Sequence, residues 1–266
     1  MKGAWSLDND ETTRAWLALA GFMVAVMIVL TPAAFYDPRV LEGAPLWGKP
    51  LKFALSIAVH FITLAVLVQL LSPQTRTGRL MSRLVRVSIT AAVFEIGYIA
   101  LQAARGRPSH FNFDTPFETG MYALMGIGAV TLTVIPFILG LVLHRQRDGD
   151  RSGYRLGAGL GLLLAPVLTL VIAGYMSGVV YDRWIGEAAG GATIPLLGWS
   201  RVAGDFRPPH FLGLHLMQIL PLTGWVADRL SPVHARRVVW TAAVIGVAAT
   251  VALFAQTLAG QPVWPQ

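Results

Sequence analysis

Apolar residues dominate seven long stretches of the chain, and short polar segments separate them. A helix that spans a bilayer needs about 20 mostly apolar residues. The pattern predicts spans over 15–34, 50–71, 84–103, 118–143, 154–181, 209–230 and 235–259. The first stretch follows the acidic residues Asp8, Asp10 and Glu11 and is too long for a signal peptide, so we expect an anchored helix. We therefore expect an all-α, polytopic transmembrane helical bundle that forms a single domain over 1–266.

The composition strengthens this interpretation. Hydrophobic residues make up 55% of the 266 residues and charged residues 13%, whereas a soluble domain is typically about one quarter charged. The polar surface is too small to cover a water-exposed globule. The net charge of +7 is distributed over short loops, which is typical of contacts with lipid headgroups and argues against nucleic acid as a partner. The lack of cysteine excludes disulfides, iron–sulfur clusters and covalently attached haem.

The basic residues also predict how the chain is inserted. Thirteen Lys and Arg residues lie on the side that holds the N-terminus, including Lys2 and Arg147, and eight lie on the other side. Short basic loops stay in the cytoplasm. We therefore expect a multi-pass protein of the cell membrane, or of the inner membrane if the source is bacterial. Its N-terminus would be cytoplasmic and its C-terminus outside.

The order of the helices shows no simple internal symmetry. No repeat of fixed period is visible, and seven helices do not divide into two equal halves. This argues against an inverted-repeat transporter. In the fifth span, Gly157, Gly159 and Gly161 predict close packing against a neighbouring helix.

Three predicted helices each carry one stripe of side chains, most of them polar, at the spacing of a single helical face. The second span has Lys49, Lys52, Ser56, His60 and Thr63, the third has Ser88, Glu95, Tyr98 and Gln102, and the sixth has Phe211, His215, Gln218 and Leu222.

The deepest polar residues of these stripes share one layer of the membrane. His60, Glu95, His215 and Gln218 lie roughly 9–15 Å from the predicted outer interface, at about 1.5 Å per residue. An ionisable group at such depth costs on the order of 3 kcal/mol and seldom faces lipid. We therefore expect the three stripes to enclose a polar pocket that opens outward. Its mouth would be lined by Lys49, Lys52, His110, Asn112, Asp205, Arg207 and His210.

The residue types of this pocket suit three kinds of chemistry. His60, Glu95 and His215 would suit a divalent metal such as zinc or iron. The two histidines would alternatively suit the axial positions of a b-type haem. A Glu/His relay that moves a proton together with a solute needs no cofactor. Glu95 also has a plain structural interpretation, a neutral carboxyl group hydrogen-bonded to Tyr98 or to the backbone.

These alternatives lead to three functional hypotheses. The first is a metal- or haem-dependent oxidoreductase or hydrolase, with Glu95, Tyr98 and Gln218 as catalytic residues. The second is a proton-coupled transporter or channel lined by the same residues, and the third is a cofactor-free sensor or assembly factor. The cations of the mouth indicate membrane lipid and a lipid-soluble or anionic small molecule as partners, although lysines that reach the headgroups would look the same.

Overall fold

The computed structural model describes residues 7–41, 43–146, 149–186, 191–195 and 197–264. Lys2 and Arg147, which contribute to the predicted orientation, lie outside these residues. The helices are α1 (Glu11–Tyr36), α2 (Gly48–Leu67), α3 (Pro73–Arg76), α4 (Arg79–Ala104), α5 (Pro116–Arg145), α6 (Gly153–Tyr175), α7 (Arg207–Leu230) and α8 (Ala235–Leu258). Four two-residue strands form two antiparallel pairs, β1 (Val40–Leu41) with β2 (Ala44–Pro45) and β3 (Trp184–Ile185) with β4 (Gly204–Asp205).

Each of the seven predicted spans coincides with a long helix. Within the described residues, six of these helices are long and apolar enough to cross a membrane. The remaining one, α7, has 24 residues, but histidine, glutamine and proline residues interrupt its apolar sequence. The chain is thus an all-α, multi-pass membrane protein, and its orientation in the membrane stays a prediction.

Local hydrogen bonds define where several helices begin. The Oδ1 atom of Asp10 accepts a hydrogen bond from the backbone N–H of Thr13 at 3.0 Å, which caps the start of α1. Ser152 caps α6 in the same way, at 3.1 Å from the N–H of Arg155. Such caps satisfy backbone donors that have no partner inside the helix.

The chain divides into two compact units, with the boundary between Ile135 and Pro136 inside α5. In the first unit, α1 packs on α2 and both helices contact α4. Its core includes the fully buried side chains of Trp16 and Phe61, and the indole N–H of Trp16 donates to the hydroxyl of Ser88 at 3.1 Å.

In the second unit, α6 packs closely on α7, and α8 contacts both. A Cβ atom on Gly157 would overlap the backbone carbonyl of Leu220, and one on Gly161 would lie 2.8 Å from the carbonyl oxygen of Leu216. The predicted close packing is therefore confirmed at these two glycines. At Gly159 a Cβ atom would meet no other atom within 4 Å, so the prediction was wrong there, because this glycine lies on another face of the helix.

Candidate functional site

A half-buried lysine lies at the predicted outer end of the first unit. The Nζ atom of Lys49, in the first turn of α2, lies 3.3 Å from Nδ1 of His110. An ammonium group can only donate, so the imidazole nitrogen accepts this hydrogen bond. The ring of Phe53, one turn further along α2, lies 5.9 Å from the ammonium group and 5.5 Å from the imidazole ring. The Lys49 ammonium group is therefore held between an imidazole and an aromatic face.

The loop between α4 and α5 positions His110. The side chain of Asn112 donates to the backbone carbonyl of Pro108 at 3.0 Å, and Phe111 has a positive φ of 55°. Arg107 forms a 2.7 Å ion pair with the buried carboxylate of Glu118 at the start of α5. Asn112, which was predicted at the mouth of the pocket, is itself buried, and its side chain stabilises this loop.

The polar stripe of α4 is buried, as predicted. Ser88, Glu95, Tyr98 and Gln102 are each at most 5% exposed. The side-chain amide of Gln102 donates to the hydroxyl of Tyr98 at 3.1 Å and to the carbonyl of Pro108 at 3.2 Å. Gln102 therefore joins the outer end of α4 to the loop that carries His110.

Glu95 is the buried carboxylate of this unit's membrane-spanning interior. It is 3% exposed, and its Oε1 atom has no hydrogen-bond partner among the described residues. The Lys49 ammonium group attracts it electrostatically, but no ion pair within 4.0 Å joins the two groups among the described residues. The Tyr98 hydroxyl accepts from Gln102, and in the part of the chain that the structure describes it makes no hydrogen bond with Glu95. The predicted alternative of a carboxyl bonded to Tyr98 was therefore wrong.

A glycine of α5, which the sequence patterns did not single out, makes room for this carboxylate. A Cβ atom on Gly128 would lie 2.6 Å from Oε1 of Glu95. Gly128 therefore allows α5 to approach α4 without displacing the carboxylate. Its spacing alone could not have identified it, because several glycines occur in the same apolar stretch.

The stripe of α2 is enclosed only in part. His60 is half-buried, and its Nε2 atom is buried without a hydrogen-bond partner among the described residues. In contrast, Lys52, which was predicted at the mouth of the pocket, and Ser56 are both exposed. The expectation that this stripe faces the pocket was therefore wrong for Ser56. The reason is that α2 buries its apolar face, which includes Ile57 and Phe61.

In the second unit, the stripe of α7 is half-buried at its polar positions. Nδ1 of His215 lies 3.2 Å from the side-chain oxygen of Gln218, and the ring of Phe211 lies 4.2 Å from the imidazole. Nδ1 of His210 is buried and lacks a partner in the described segments. Phe211 also contacts Trp199 of the preceding loop, at 5.6 Å between ring centres.

Arg207 is held in place rather than free at the mouth. Its Nε atom lies 2.9 Å from Oδ1 of Asp205 and its Nη2 atom donates to Oδ2 of the same carboxylate. Asp205 is fully buried and also accepts from the backbone N–H of Ser200 at 2.8 Å. The pair fixes the start of α7.

The predicted site residues thus form separate groups. Lys49 and His110 are in contact in the first unit, which also contains Glu95 and His60, whereas His215 and Gln218 belong to the second unit. Within the described residues, no group of three or more His, Cys, Asp or Glu side chains is arranged to hold a metal ion. The three-ligand metal site and the convergence of the three stripes therefore stay predictions.

Asp37 and His110 are among the groups outside the membrane-spanning helices whose pKa values are shifted. Hydrogen bonds from Arg39 and Trp47 hold the pKa of Asp37 well below its usual range. Burial and the nearby Lys49 cation lower the pKa of His110 well below that of an ordinary histidine. His110 is therefore neutral at pH 7, in agreement with its role as acceptor for Lys49.

This shift predicts a pH dependence of stability. His110 binds protons more readily in the unfolded chain, so its contribution to stability is present above a pH of about 6.5 and is lost as the pH falls. Below that pH, we expect the free energy of unfolding to decrease by up to about 1.4 kcal/mol per pH unit. Thermal unfolding of the purified protein is measured between pH 7.5 and 5.5. The stability of His110→Gln should decrease less over this range than that of the wild type. The exposed His144 provides the control, and an equal change for His144→Gln would contradict the assignment.

The chain matches no protein-family model, no curated protein and no solved structure. Its function has therefore to be inferred from the described side chains themselves.

Proposed function

We propose that the protein is a proton-linked membrane transporter for a small anionic solute, with Glu95 as the residue that binds the proton. The observation that carries this proposal is the buried Oε1 atom of Glu95, which has no hydrogen-bond partner among the described residues while the Lys49 ammonium group acts on it. Ionisable residues inside membrane helices commonly form proton relays in pumps and transporters.

The arrangement supplies a simple coupling mechanism. In the absence of solute, the Lys49 cation compensates the Glu95 carboxylate. A solute anion that binds Lys49 would compete for this cation and leave the carboxylate uncompensated in a medium of low dielectric constant, which favours uptake of a proton. Because linkage is reciprocal, protonation of Glu95 in turn favours binding of the anion.

Uptake assays test the proposal. The wild-type protein is reconstituted in liposomes, and uptake of radiolabelled lactate, succinate and glutamate is measured with and without a pH gradient that is alkaline inside. We expect at least one of these carboxylates to accumulate above the level of empty liposomes, and the gradient to increase its uptake. If none of them enters faster than in empty liposomes under either condition, the proposal fails.

A second candidate function is the binding of a haem or metal for redox or hydrolytic chemistry. The buried Nε2 atom of His60 supports it, because this potential ligand atom has no partner among the described residues. Absorption spectra and metal analysis of the purified protein test this candidate. It predicts a Soret band or a stoichiometric metal that is lost in His60→Ala and retained in His144→Ala.

A further inference from the structure

We propose that the chain contains two copies of one three-helix unit, and that the second copy carries a second anion-binding site at the predicted outer end of α7. The copies are α1, α2 and α4 in the first unit and α6, α7 and α8 in the second. The second site consists of Arg207, His210 and Phe211. Its ligand class, a small organic anion, rests on the proposed function.

The ends of the first helices correspond to each other. The first helix of one unit ends at Tyr36, followed by Asp37. In the other unit, α6 continues into a π-helical turn, Met176–Val180, which is followed by Tyr181 and Asp182. In both units an arginine and a two-residue strand come next, and that strand pairs with a second strand just before the next long helix.

The second helices begin with the same pattern of residue types. In the first unit this pattern is Lys49, Pro50, Lys52 and Phe53, and in the second it is Arg207, Pro208, His210 and Phe211. A cation, a proline, a basic or imidazole side chain and a phenylalanine therefore recur at identical spacing. On this alignment His60 of α2 corresponds to Gln218 of α7, eleven residues after the first cation.

The ends of the third helices provide the most specific correspondence. Gln102, Gly106 and Pro108 recur as Gln256, Gly260 and Pro262. In each case the glutamine side chain donates to the proline carbonyl, at 3.2 Å and 2.7 Å. The two glycines have φ values of +70° and +72°, which a glycine adopts readily at the end of a helix.

The predicted cytoplasmic ends correspond as well. Near the end of α2, the amide of Gln69 donates to the hydroxyl of Thr13 at 2.6 Å, in the first turn of α1. Near the end of α7, the carboxylate of Asp228 accepts from the backbone N–H groups of Gly153 and Tyr154 at 2.7 Å and 2.8 Å. In both units a polar side chain in the last turns of the second helix, or in the 3₁₀ turn directly after it, thus binds the start of the first helix.

This correspondence is compatible with seven long helices that do not divide into two equal halves. The additional helix is α5, in which the boundary between the units lies. Corresponding residues of the first, second and third helices are 145, 158 and 154 positions apart. Because the loops differ in length, the duplication has no fixed period. Parallel repeats of this kind are one of the common architectures of secondary transporters.

The second site differs from the first in a way that defines its chemistry. Nδ1 of His210, three residues after Arg207 in α7, is buried without a partner among the described residues, and we assign it to the ligand. The position that corresponds to Glu95 is Ala249 in α8. The carboxylate beside Arg207 is Asp205, which is ion-paired with Arg207 itself at the start of α7. The second site therefore lacks a counterpart of Glu95 inside the membrane-spanning helices that the structure describes.

The lack of cysteine in the natural sequence allows a direct experiment. Single cysteines are introduced by Phe53→Cys and Phe211→Cys in the full chain in liposomes, with Ala44→Cys in the exposed β2 strand as reference. The rates of modification by sulfonatoethyl methanethiosulfonate, an anion, and trimethylammonioethyl methanethiosulfonate, a cation, are then compared. At positions 53 and 211, we expect the ratio of the anionic to the cationic modification rate to be about fivefold higher than the same ratio at position 44. This factor corresponds to ~1 kcal/mol of attraction. Ser56→Cys and Leu214→Cys, one turn further along α2 and α7, provide a second matched pair if either phenylalanine variant fails to fold.

Removal of one cation at a time tests the assignment. Lys49→Gln should abolish the preference at position 53 alone, and Arg207→Gln should abolish it at position 211 alone. A preference at 53 without one at 211 would overturn the second site and leave the proposed function intact. If the single-cysteine proteins that retain Lys49 and Arg207 show no preference for the anionic reagent at either position, this would contradict the anionic substrate class itself. Failure of both reagents to modify the second-unit cysteine would also overturn the second site, because an anion from water could not reach it.

Discussion

Glu95→Gln is expected to reduce the gradient-driven uptake of the transported carboxylate by about 100-fold, the lower end of the contribution of a positioned proton-transfer group. Glutamine keeps the size of the side chain but cannot take up the proton. The buried Oε1 atom makes no hydrogen bond within the described residues, so the substitution removes no such bond that holds α4. Exchange of labelled against unlabelled solute at equal pH should be retained, because it requires no net movement of protons.

The control for this variant is Glu11→Gln, which changes an exposed carboxylate in the first turn of α1. It should leave both gradient-driven uptake and exchange unchanged. Glu95 is not the proton carrier if Glu95→Gln retains gradient-driven uptake. A loss of exchange together with uptake would instead assign Glu95 to solute binding.

Gly128→Ala is expected to reduce the same uptake by about 10- to 100-fold with little loss of stability. The new methyl group would lie 2.6 Å from Oε1 of Glu95. The atom that it meets is the end of a flexible side chain, so the carboxylate moves and the helices stay packed. Misplacement of a reacting group by about 1 Å can cost as much as 100-fold. Overpacking costs about 1 to 3 kcal/mol, and because the contacted atom is flexible we expect the low end of this range. Since alanine is about 1 kcal/mol more favourable than glycine inside a helix, the net free energy of unfolding should change by about 1 kcal/mol or less.

The matched control for this variant lies two residues earlier in the same helix. A Cβ atom on Gly126 would meet no other atom within 4 Å, so Gly126→Ala should preserve uptake and stability. Unfolding midpoints and uptake rates of both variants provide the comparison. If Gly126→Ala and Gly128→Ala lower uptake equally, the effect of an alanine in α5 does not depend on contact with Glu95, and the prediction is contradicted.

Much of the fold could be predicted from the sequence because the membrane imposes a simple rule on length and apolarity. All seven helices lie where the apolar stretches predicted them. The buried stripe around Glu95 and Gln102 was also predictable, since polar residues inside a span avoid lipid.

The sequence patterns could not identify the contacts that depend on loops. The position of His110 beside Lys49 depends on the hydrogen bonds of Asn112 and Gln102 to Pro108, which no periodicity predicts. The exposure of Ser56 was missed because α2 has two faces of mixed character, and its packing on α1 and α4 decides which one is buried.

Proton movement that accompanies the solute is the most direct test of the central claim. Wild-type protein is reconstituted in liposomes that contain the pH-sensitive dye pyranine, and the carboxylate identified by uptake is added outside. We predict acidification of the lumen beyond that of empty liposomes, and its absence with Glu95→Gln. Solute uptake without acidification in the wild type, or equal acidification in both proteins, would contradict proton-linked transport through Glu95.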